Sequence, residues 1–433
     1  MTKKYQINEF DTSALAVPEQ VSVAMAEIAA DLREGLLALA VGAGLQVMQQ
    51  LMEADVAAAC GARGQHDPDR TATRHGSEAG SVTLGGRRVP ISRPRVRATD
   101  GSGEVAVPAY RLFSSTEVLG RMAMERMLAG VSTRSYPIAL EPVGAQVEAG
   151  QTSTSKSAVS RKFVALTETA LAELLAADLT ELDLVALMID GVHFADHLCV
   201  VALGIGLDGT KHPLALVEGS TENTTLVRGL LVGLRERGLD VTKPILAVLD
   251  GAKALSAAVK EVFDHPVIAR CQLHKLRNVQ DHLPEKLRGL VGRRMRQAYH
   301  ADTALEAQAL LEALAAELDK THPGAAGSLR EGLAETLTVL RLNVPPTLAR
   351  TLRSTNAIES MIGICRNHAR NVKRWRDGQM ALRWCAAGMV EANYQFRRVN
   401  GHLHLPALRA ALHRHVGAET VSDDCNDQDV SAA

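Results

Sequence analysis

The stretch LVALMIDGVHFADHLCVVALGIGLDGTKHPLALVEG, residues 184–219, decides how this chain is read. LVALMID is an apolar run closing on Asp190, and LCVVALGIGL is a second. After the Asp208-Gly209 turn, KHPLALVEG is a third, so three consecutive strands are joined by short connections. TENTTLVRGLLVGLRERGL (221–239) then reads as a helix, with a capping-box start at Thr221 or a neighbour and a stop at Gly238. PILAVLD is another apolar strand closing on an acid, Asp250. A helix over 252–263, the strand PVIAR and a helix from Gln272 complete an order β-β-β-α-β-α-β-α. That order predicts an α/β core.

Outward from this block the texture is helical. Residues 286–350 read as helix throughout, broken at THPG and NVPP. Two further helices follow, one bearing Glu359 and one through QMALRWCAAGMVEANYQF. Upstream, residues 18–60 have helical spacing, and GSVTLGGRRVPISRPRV alternates as a hairpin around Gly85-Gly86. DGSGE (100–104) is a loop, and helical patterning resumes from about 116 to 178. Within it, TSTSKSAVSRKFVAL (152–166) has a Ser/Thr cluster capping a helix. That helix exposes Ser157, Ser160, Arg161 and Lys162 and turns Val159, Phe163 and Leu166 inward. A short polar helix after a turn suits a helix-turn-helix element; the plain alternative is a capped surface helix.

The 433 residues allow two or three domains, with 46% hydrophobic content, 3% aromatics and mean hydropathy −0.01, so aliphatic cores are expected. No long uncharged apolar run and no signal-peptide core appear, which predicts a cytoplasmic protein without a membrane segment. Six scattered cysteines read as reduced thiols rather than a disulfide framework. The net charge of −1 gives no hint of nucleic acid, but its distribution does. GGRRVPISRPRVR (85–97) and KLRGLVGRRMR (286–296) each carry five cations and no acid, whereas the tail after Gly417 is acidic.

Three acids stand out. Asp190 and Asp250 close apolar strands, the edge where open α/β sheets bind ligands. Each precedes Gly, so each can also be a turn residue, and Asp250 can cap the helix that follows. Glu359 is the sole acid between Glu335 and Asp377. Asn356 and Glu359 fit a capping box. At 100° per residue Arg366, Arg370 and Lys373 fall within about 40° of Glu359, while Ile358, Met361, Ile362, Cys365, Ala369 and Val372 form a neighbouring apolar face. A carboxylate followed by cations suits a divalent metal beside a phosphate backbone. Three such carboxylates can hold two hard cations, Mg2+ or Mn2+, for phosphodiester chemistry.

With these residues in view, MIDGV, VLDGAKAL followed by RCQLHKLRNV, and STNAIES followed by NVKRWRDGQMALRW resemble the bacterial Mutator-type insertion-sequence transposases. The likeness continues through GVSTRSYP (130–137), SKSAVSR (155–161), EGSTEN (218–223) and FRRVNGHLHLPAL (396–408), and RRVPISRPRVR is similar to the family's arginine-rich strand. The resemblance implies a DDE transposase with a ribonuclease-H-like core, its acids mapping to Asp190, Asp250 and Glu359. The gap of 359 − 250 = 109 residues agrees with the family's helical insertion before the glutamate. The family's C-x-x-H element falls on Cys271 and His274. A zinc site is disfavoured there, since structural zinc wants four ligands and no second pair has suitable spacing; a structural or DNA-positioning role is expected. Trp375, between Arg374 and Arg376, is expected to stack on a displaced base; Trp384 is expected in the core.

The expected architecture is thus an α/β ribonuclease-H-like core with an all-α insertion, preceded by mainly α-helical DNA-binding regions. Boundaries are expected at 1–115 (helical, with a basic hairpin), 116–180 (helix-turn-helix-like), 181–285 (core), 286–350 (insertion), 351–400 (core completion) and 401–433 (acidic C-terminal segment). The expected activity is Mg2+-dependent cleavage and strand transfer of an insertion sequence, through a circular intermediate by the family's habit. Two ions would sit on Asp190, Asp250 and Glu359. Arg87, Arg88, Arg95, Lys156, Ser157, Arg161, Arg366, Arg370, Lys373, Arg374 and Trp375 would contact DNA, chiefly through phosphates. Partners would be double-stranded terminal repeats and target DNA, with a homodimer or larger form at the nucleoid. A captured, catalytically silent DNA-binding protein and a two-metal nuclease remain as alternatives.

Overall fold

The computed structural model describes residues 36–65, 67–141, 143–221 and 223–430; the helical reading of 18–35 and residue Glu222 lie outside them. It divides into two compact units, one of residues up to 127 with 131–163, the other of 128–130 with 164 onward.

In the first unit, helix α1 (Leu36–Cys60) precedes a long hairpin, β1 (Ala72–Leu84) and β2 (Arg87–Ala98), joined through Gly85 and Gly86. Both glycines have positive φ, which the tight turn requires. A two-residue strand β3 (Glu104–Val105) pairs with β2, at the end of the segment read as a loop. Met52, Val56 and Cys60 of α1 pack on Ala72, Val96 and Val107. Helices α2 (Pro108–Phe113), α3 (Glu117–Leu128) and α4 (Ala145–Gly150) follow. Helix α5 (Lys156–Ala176) starts as expected, with the Ser155 hydroxyl accepting the Ala158 N–H at 3.3 Å. Its Val159 and Phe163 are buried, while Leu166 is half-buried; Ser157 and Arg161 are exposed. The helix before this turn, α4, has only six residues.

The second unit is built on a five-stranded sheet in the order β6-β5-β4-β7-β8. β4 (Leu184–Phe194), β5 (His197–Gly206) and β6 (Lys211–Gly219) form an antiparallel meander, as their short connections predict. β7 (Ile245–Leu249) and β8 (Pro266–Arg270) run parallel to β4, reached through helices α6 (Thr224–Glu236) and α7 (Lys253–Val262). The cap of α6 is Asn223, whose side chain accepts the Leu226 N–H, rather than Thr221; it stops before Gly238 at φ 94°. Val227, Leu231 and Leu234 of α6 and Leu255, Ala258 and Val259 of α7 bury one sheet face through Leu187, Ile189, Val200, Ala247 and Leu249. Each such fully buried aliphatic side chain contributes roughly 1.5–3 kcal/mol.

After α8 (Gln272–Asp281) comes the helical segment: α9 (Glu285–Ala298), α10 (Ala304–Asp319), α11 (Pro323–Arg330), α12 (Leu333–Thr336), α13 (Thr338–Arg341) and α14 (Pro346–Leu352). It has its own core of Val291, Met295, Leu311, Leu314, Leu329 and Leu337. The chain then returns to the other sheet face as α15 (Asn356–Ala369), α16 (Gly378–Gln395) and α17 (Leu405–Val430). The acidic side chains beyond 418 lie outside the described residues. No helix among the described residues is long and apolar enough to cross a membrane.

Candidate active site

Three neighbouring strands set up the site, β4 by an interior position and β7 and β8 by their C-terminal ends. β4 pairs β7 with Met188 opposite Val248, and β7 pairs β8 with Val248 opposite Ala269. Extending that register by two residues puts Asp190, Asp250 and Cys271 in one row across neighbouring parallel strands, which lie about 4.8 Å apart. Because Leu187, Ile189, Ala247, Leu249 and Ile268 face the α6/α7 core, alternation turns Asp190, Asp250 and Cys271 to the opposite face. That is the face covered by α15 and α16.

Asp190 does not close its strand. β4 runs four residues further and turns at Ala195, so the Asp190-Gly191 pair is not a turn. Instead Asp190 Oδ1 accepts the Gly191 N–H at 2.8 Å. β7 does stop beside it, and Asp250 Oδ1 accepts the Ala252 N–H at 2.8 Å in a local loop. Asp250 is therefore not the helix cap, a position held by Ala252. Gly251 is required: its φ is 107°, and an added Cβ would lie 2.1 Å from Arg270 Nε.

Glu359 arrives on the first turns of α15. The expected Asn356 capping box is absent. The cap is Thr355, one residue earlier, and Asn356 is exposed. The fully buried Thr355 hydroxyl lies 2.7 Å from Glu359 Oε1, 3.4 Å from Cys271 Sγ and 3.3 Å from His274 Nδ1. Thr355 N–H also donates to Cys271 Sγ at 3.4 Å, and His274 Nε2 sits 3.8 Å from Glu359 Oε1. Sequence reasoning missed Thr355, because its role depends on where the helix begins. It gave Cys271 and His274 a structural or DNA-positioning role; the structure brings one ligand atom of each to within 4.8 Å of a Glu359 oxygen.

The electrostatics join these groups. Burial pushes Asp190 up to about 6, its hydrogen bond from Gly191 opposes this, and the charges of Asp250 and Glu359 raise it further against His274. The His274 ring is raised, first by its hydrogen bond with Cys271 and then by the charges of Cys271, Glu359 and Asp190, against burial. Burial alone would raise the Cys271 thiol, but hydrogen bonds from His274 and Thr355 outweigh it and lower the thiol. Among the described residues no Lys or Arg forms an ion pair with Asp190, Asp250 or Glu359.

The cationic residues divide sharply. α15 ends at Ala369, so Arg366 and Arg370 continue the Glu359 face, exposed, but Lys373 lies beyond the helix in an irregular segment with Arg374, also exposed. Ile358, Met361, Ile362, Cys365 and Ala369 are buried as the helical spacing predicts, whereas Val372 falls outside the helix. Trp375 does not stand free to stack on a base: its ring is 4.8 Å from Phe194 and 6.4 Å from Trp384. Trp384 is core, as expected. In the first unit Arg87 is 1% exposed and bonded to the Glu141 carbonyl, so it is not a DNA contact. Arg88 spends its guanidinium on Ser81, Thr83 and Ser114, and Arg95 is paired with Glu104 and Glu78. A hairpin needs partners for such crowded guanidinium groups, and nearby acids and carbonyls supply them. Lys156, Ser157 and Arg161 remain exposed.

Residues 20–399 match the sequence profile of the Mutator family of transposases. The transposase for insertion sequence element ISRM5 of Rhizobium meliloti (strain 1021) is 27% identical over 366 residues, covering 84% of this chain and 90% of that protein. The transposase for IS6120 of Mycolicibacterium smegmatis is 30% identical over 240 residues, 54% of this chain and 73% of that protein. The transposase for IS256 in transposon Tn4001 of Staphylococcus aureus is 33% identical over 88 residues, 20% of this chain and 22% of that protein. A match running through the strand row, the helical segment and the Glu359 helix covers most of the sequence, and the chain belongs to the Mutator family of transposases.

Proposed function

We propose that this chain is a DDE transposase that cleaves the ends of an insertion sequence and joins them to target DNA, on a ribonuclease-H-like core. The observation that carries the reading is the row of Asp190 and Asp250 on adjacent parallel strands, with Glu359 held above the same face and all three coupled in charge. The strand order β6-β5-β4-β7-β8, antiparallel on one side of β4 and parallel on the other, supports the core assignment. The helical segment between α8 and α15 fits an insertion.

The donor set fits two Mg2+ ions, with Mn2+ as substitute. All three side chains offer hard oxygens, and no Lys or Arg compensates them among the described residues. When bound, the ions would supply Lewis-acid stabilisation of the phosphodiester and of the attacking and leaving oxygens. The protein's own contribution is orientation. Gly191 and Ala252 N–H groups fix the two aspartates, and the Thr355 hydroxyl fixes Glu359. Arg366, Arg370, Lys373 and Arg374 neutralise phosphates of the DNA strand, and the N-terminal turns of α5 grip the repeats through Lys156, Ser157 and Arg161. Water is the first nucleophile, breaking the P–O3′ bond at the element end to leave a 3′-hydroxyl and a 5′-phosphate. That hydroxyl is the second, forming a P–O3′ bond at a target phosphodiester and expelling the target strand's own 3′-hydroxyl. Joining two ends calls for a homodimer or larger assembly at the nucleoid, and the family resemblance favours a circular intermediate.

Linear DNA carrying the terminal repeats, incubated with protein and Mg2+, tests this. Joining into a second DNA supports transposition. Hydrolysis without joining points to a nuclease, and binding without nicking points to a captured regulator. Asp250→Ala is expected to abolish joining while leaving repeat binding within about threefold, since phosphate contacts carry the affinity; full activity in that variant would defeat the assignment.

A further inference from the structure

Cys271, His274 and Glu359 bring one ligand atom each to within 4.8 Å of one another. We propose that these three side chains form a site for one soft divalent cation of the zinc class, and that its occupancy takes Glu359 away from the hard-cation site. The second half rests on the function proposed above. The first half stands alone.

The chemistry follows from the donors. A thiolate and an imidazole bind zinc-class ions and have little use for Mg2+, which prefers oxygen. Three protein ligands with an open fourth position form the coordination set of an accessible zinc centre rather than a closed structural one. Around such an ion, ligand atoms at 2.0–2.3 Å lie roughly 3.5 Å apart. Rotation of His274 and Glu359 by about an ångström would therefore close the set, and His274 Nε2 and Glu359 Oε1 are already 3.8 Å apart. The sulfur is held in place: Cys271 N–H donates to the Leu249 carbonyl at 2.7 Å, and Thr355 N–H donates to Sγ. Backbone and outer donors of this kind orient metal ligands. Cys271 and His274 share the start of α8, and the third ligand comes from 359 − 274 = 85 residues downstream, a distance at which sequence spacing shows nothing.

Because Glu359 is common to both sites, the soft ion and the pair of hard ions compete for it. Zinc should then inhibit a Mg2+-dependent reaction without displacing DNA.

Cobalt is the probe. The full chain, freed of metal and titrated with Co2+, is expected to show a sulfur-to-cobalt charge-transfer band that saturates at one ion per chain, yields to Zn2+ and persists in excess Mg2+. Cys271→Ser should abolish the band, and His274→Ala should weaken cobalt binding at least tenfold. Circular dichroism confirms that both variants are folded; if one is not, the other decides. No band, a band surviving Cys271→Ser, or displacement by Mg2+ would overturn the site. In a separate joining assay, zinc at one equivalent should slow the wild type at least tenfold relative to its own zinc-free rate. Normal joining in the presence of bound zinc would overturn the competition. Absence of joining in any condition, with the cobalt band intact, would instead count against the proposed function.

Discussion

Asp190 carries the sharpest consequence at the scale of single residues. Without metal its carboxyl titrates at about 6, above the ordinary 3.8, chiefly because it is buried and secondly because Asp250 and Glu359 repel its charge. The folded state thus holds this proton more tightly than the unfolded chain does. Its contribution to stability is fully present below pH 3.8 and is lost as pH rises through 6. Allowing for partial exposure, the loss amounts to about 2 kcal/mol. Asp190→Asn should therefore raise the melting temperature of metal-free protein at pH 8 and leave it nearly unchanged near pH 4. Added Mg2+ should raise it at pH 8 in the wild type and not in the variant. Thermal melts across pH check this, and parallel profiles for the two proteins would contradict it. The three acids were legible in the sequence because apolar runs end near them and because one acid stands alone among cations. Thr355 was not, since its role turns on a helix start displaced by one residue from the expected cap. Nor was Arg87: an arginine in a basic strand reads as surface, and only the fold reveals the Glu141 carbonyl and Glu148 carboxylate around it.

Among elements, the contact of α15 with α16 fixes where Glu359 stands. Gly388 on α16 meets the backbone of Cys365 on α15, and an added Cβ would come within 2.7 Å of Cys365 Cα. Gly→Ala inside an exposed helix stabilises by about 1 kcal/mol. Here Gly388→Ala should instead cost about 1–3 kcal/mol by overpacking, read by chemical denaturation. It should also reduce joining far more than repeat binding, because it pushes on the helix that presents Glu359; equal or higher stability would contradict the packing. The hairpin and α5 make a second contrast. Arg87→Ala should destabilise the protein by about 2–4 kcal/mol through the packing and buried partners it removes, without a specific effect on DNA affinity per folded molecule. Arg161→Ala should leave stability alone and lower the slope of DNA affinity against salt by about one ion. Salt-titrated binding and denaturation of the two variants decide; the reverse pattern would contradict the burial. Helix periods and strand runs announced these elements in the sequence, down to β8 and the start of α8. Which arginines spend their charge internally did not show, because Glu78, Glu104 and Glu148 meet them only in the folded unit.

Across the whole molecule, the sheet and the helical segment share one unit, and Lys275 ties them. Fully buried on α8, it donates to the carbonyls of Ser328 and Glu331, with its ammonium pushed down to about 8 by burial first and Arg270 second. The order of elements was readable from 184 onward because each strand is a short apolar run and each helix an amphipathic one. The row of Asp190, Asp250 and Cys271 was not, since strand register is set by sheet pairing and leaves no mark in the spacing of 60 and 21 residues between them. On the proposed function, Asp190, Asp250 and Glu359 together hold two hard cations against DNA. The most direct measurement is anomalous diffraction from crystals of the chain with a terminal-repeat DNA end and Mn2+. Two manganese peaks about 3.5–4 Å apart are expected, with Asp190, Asp250 and Glu359 as the protein's carboxylate ligands. DNA seated in the crystal with no manganese at these three side chains would contradict it.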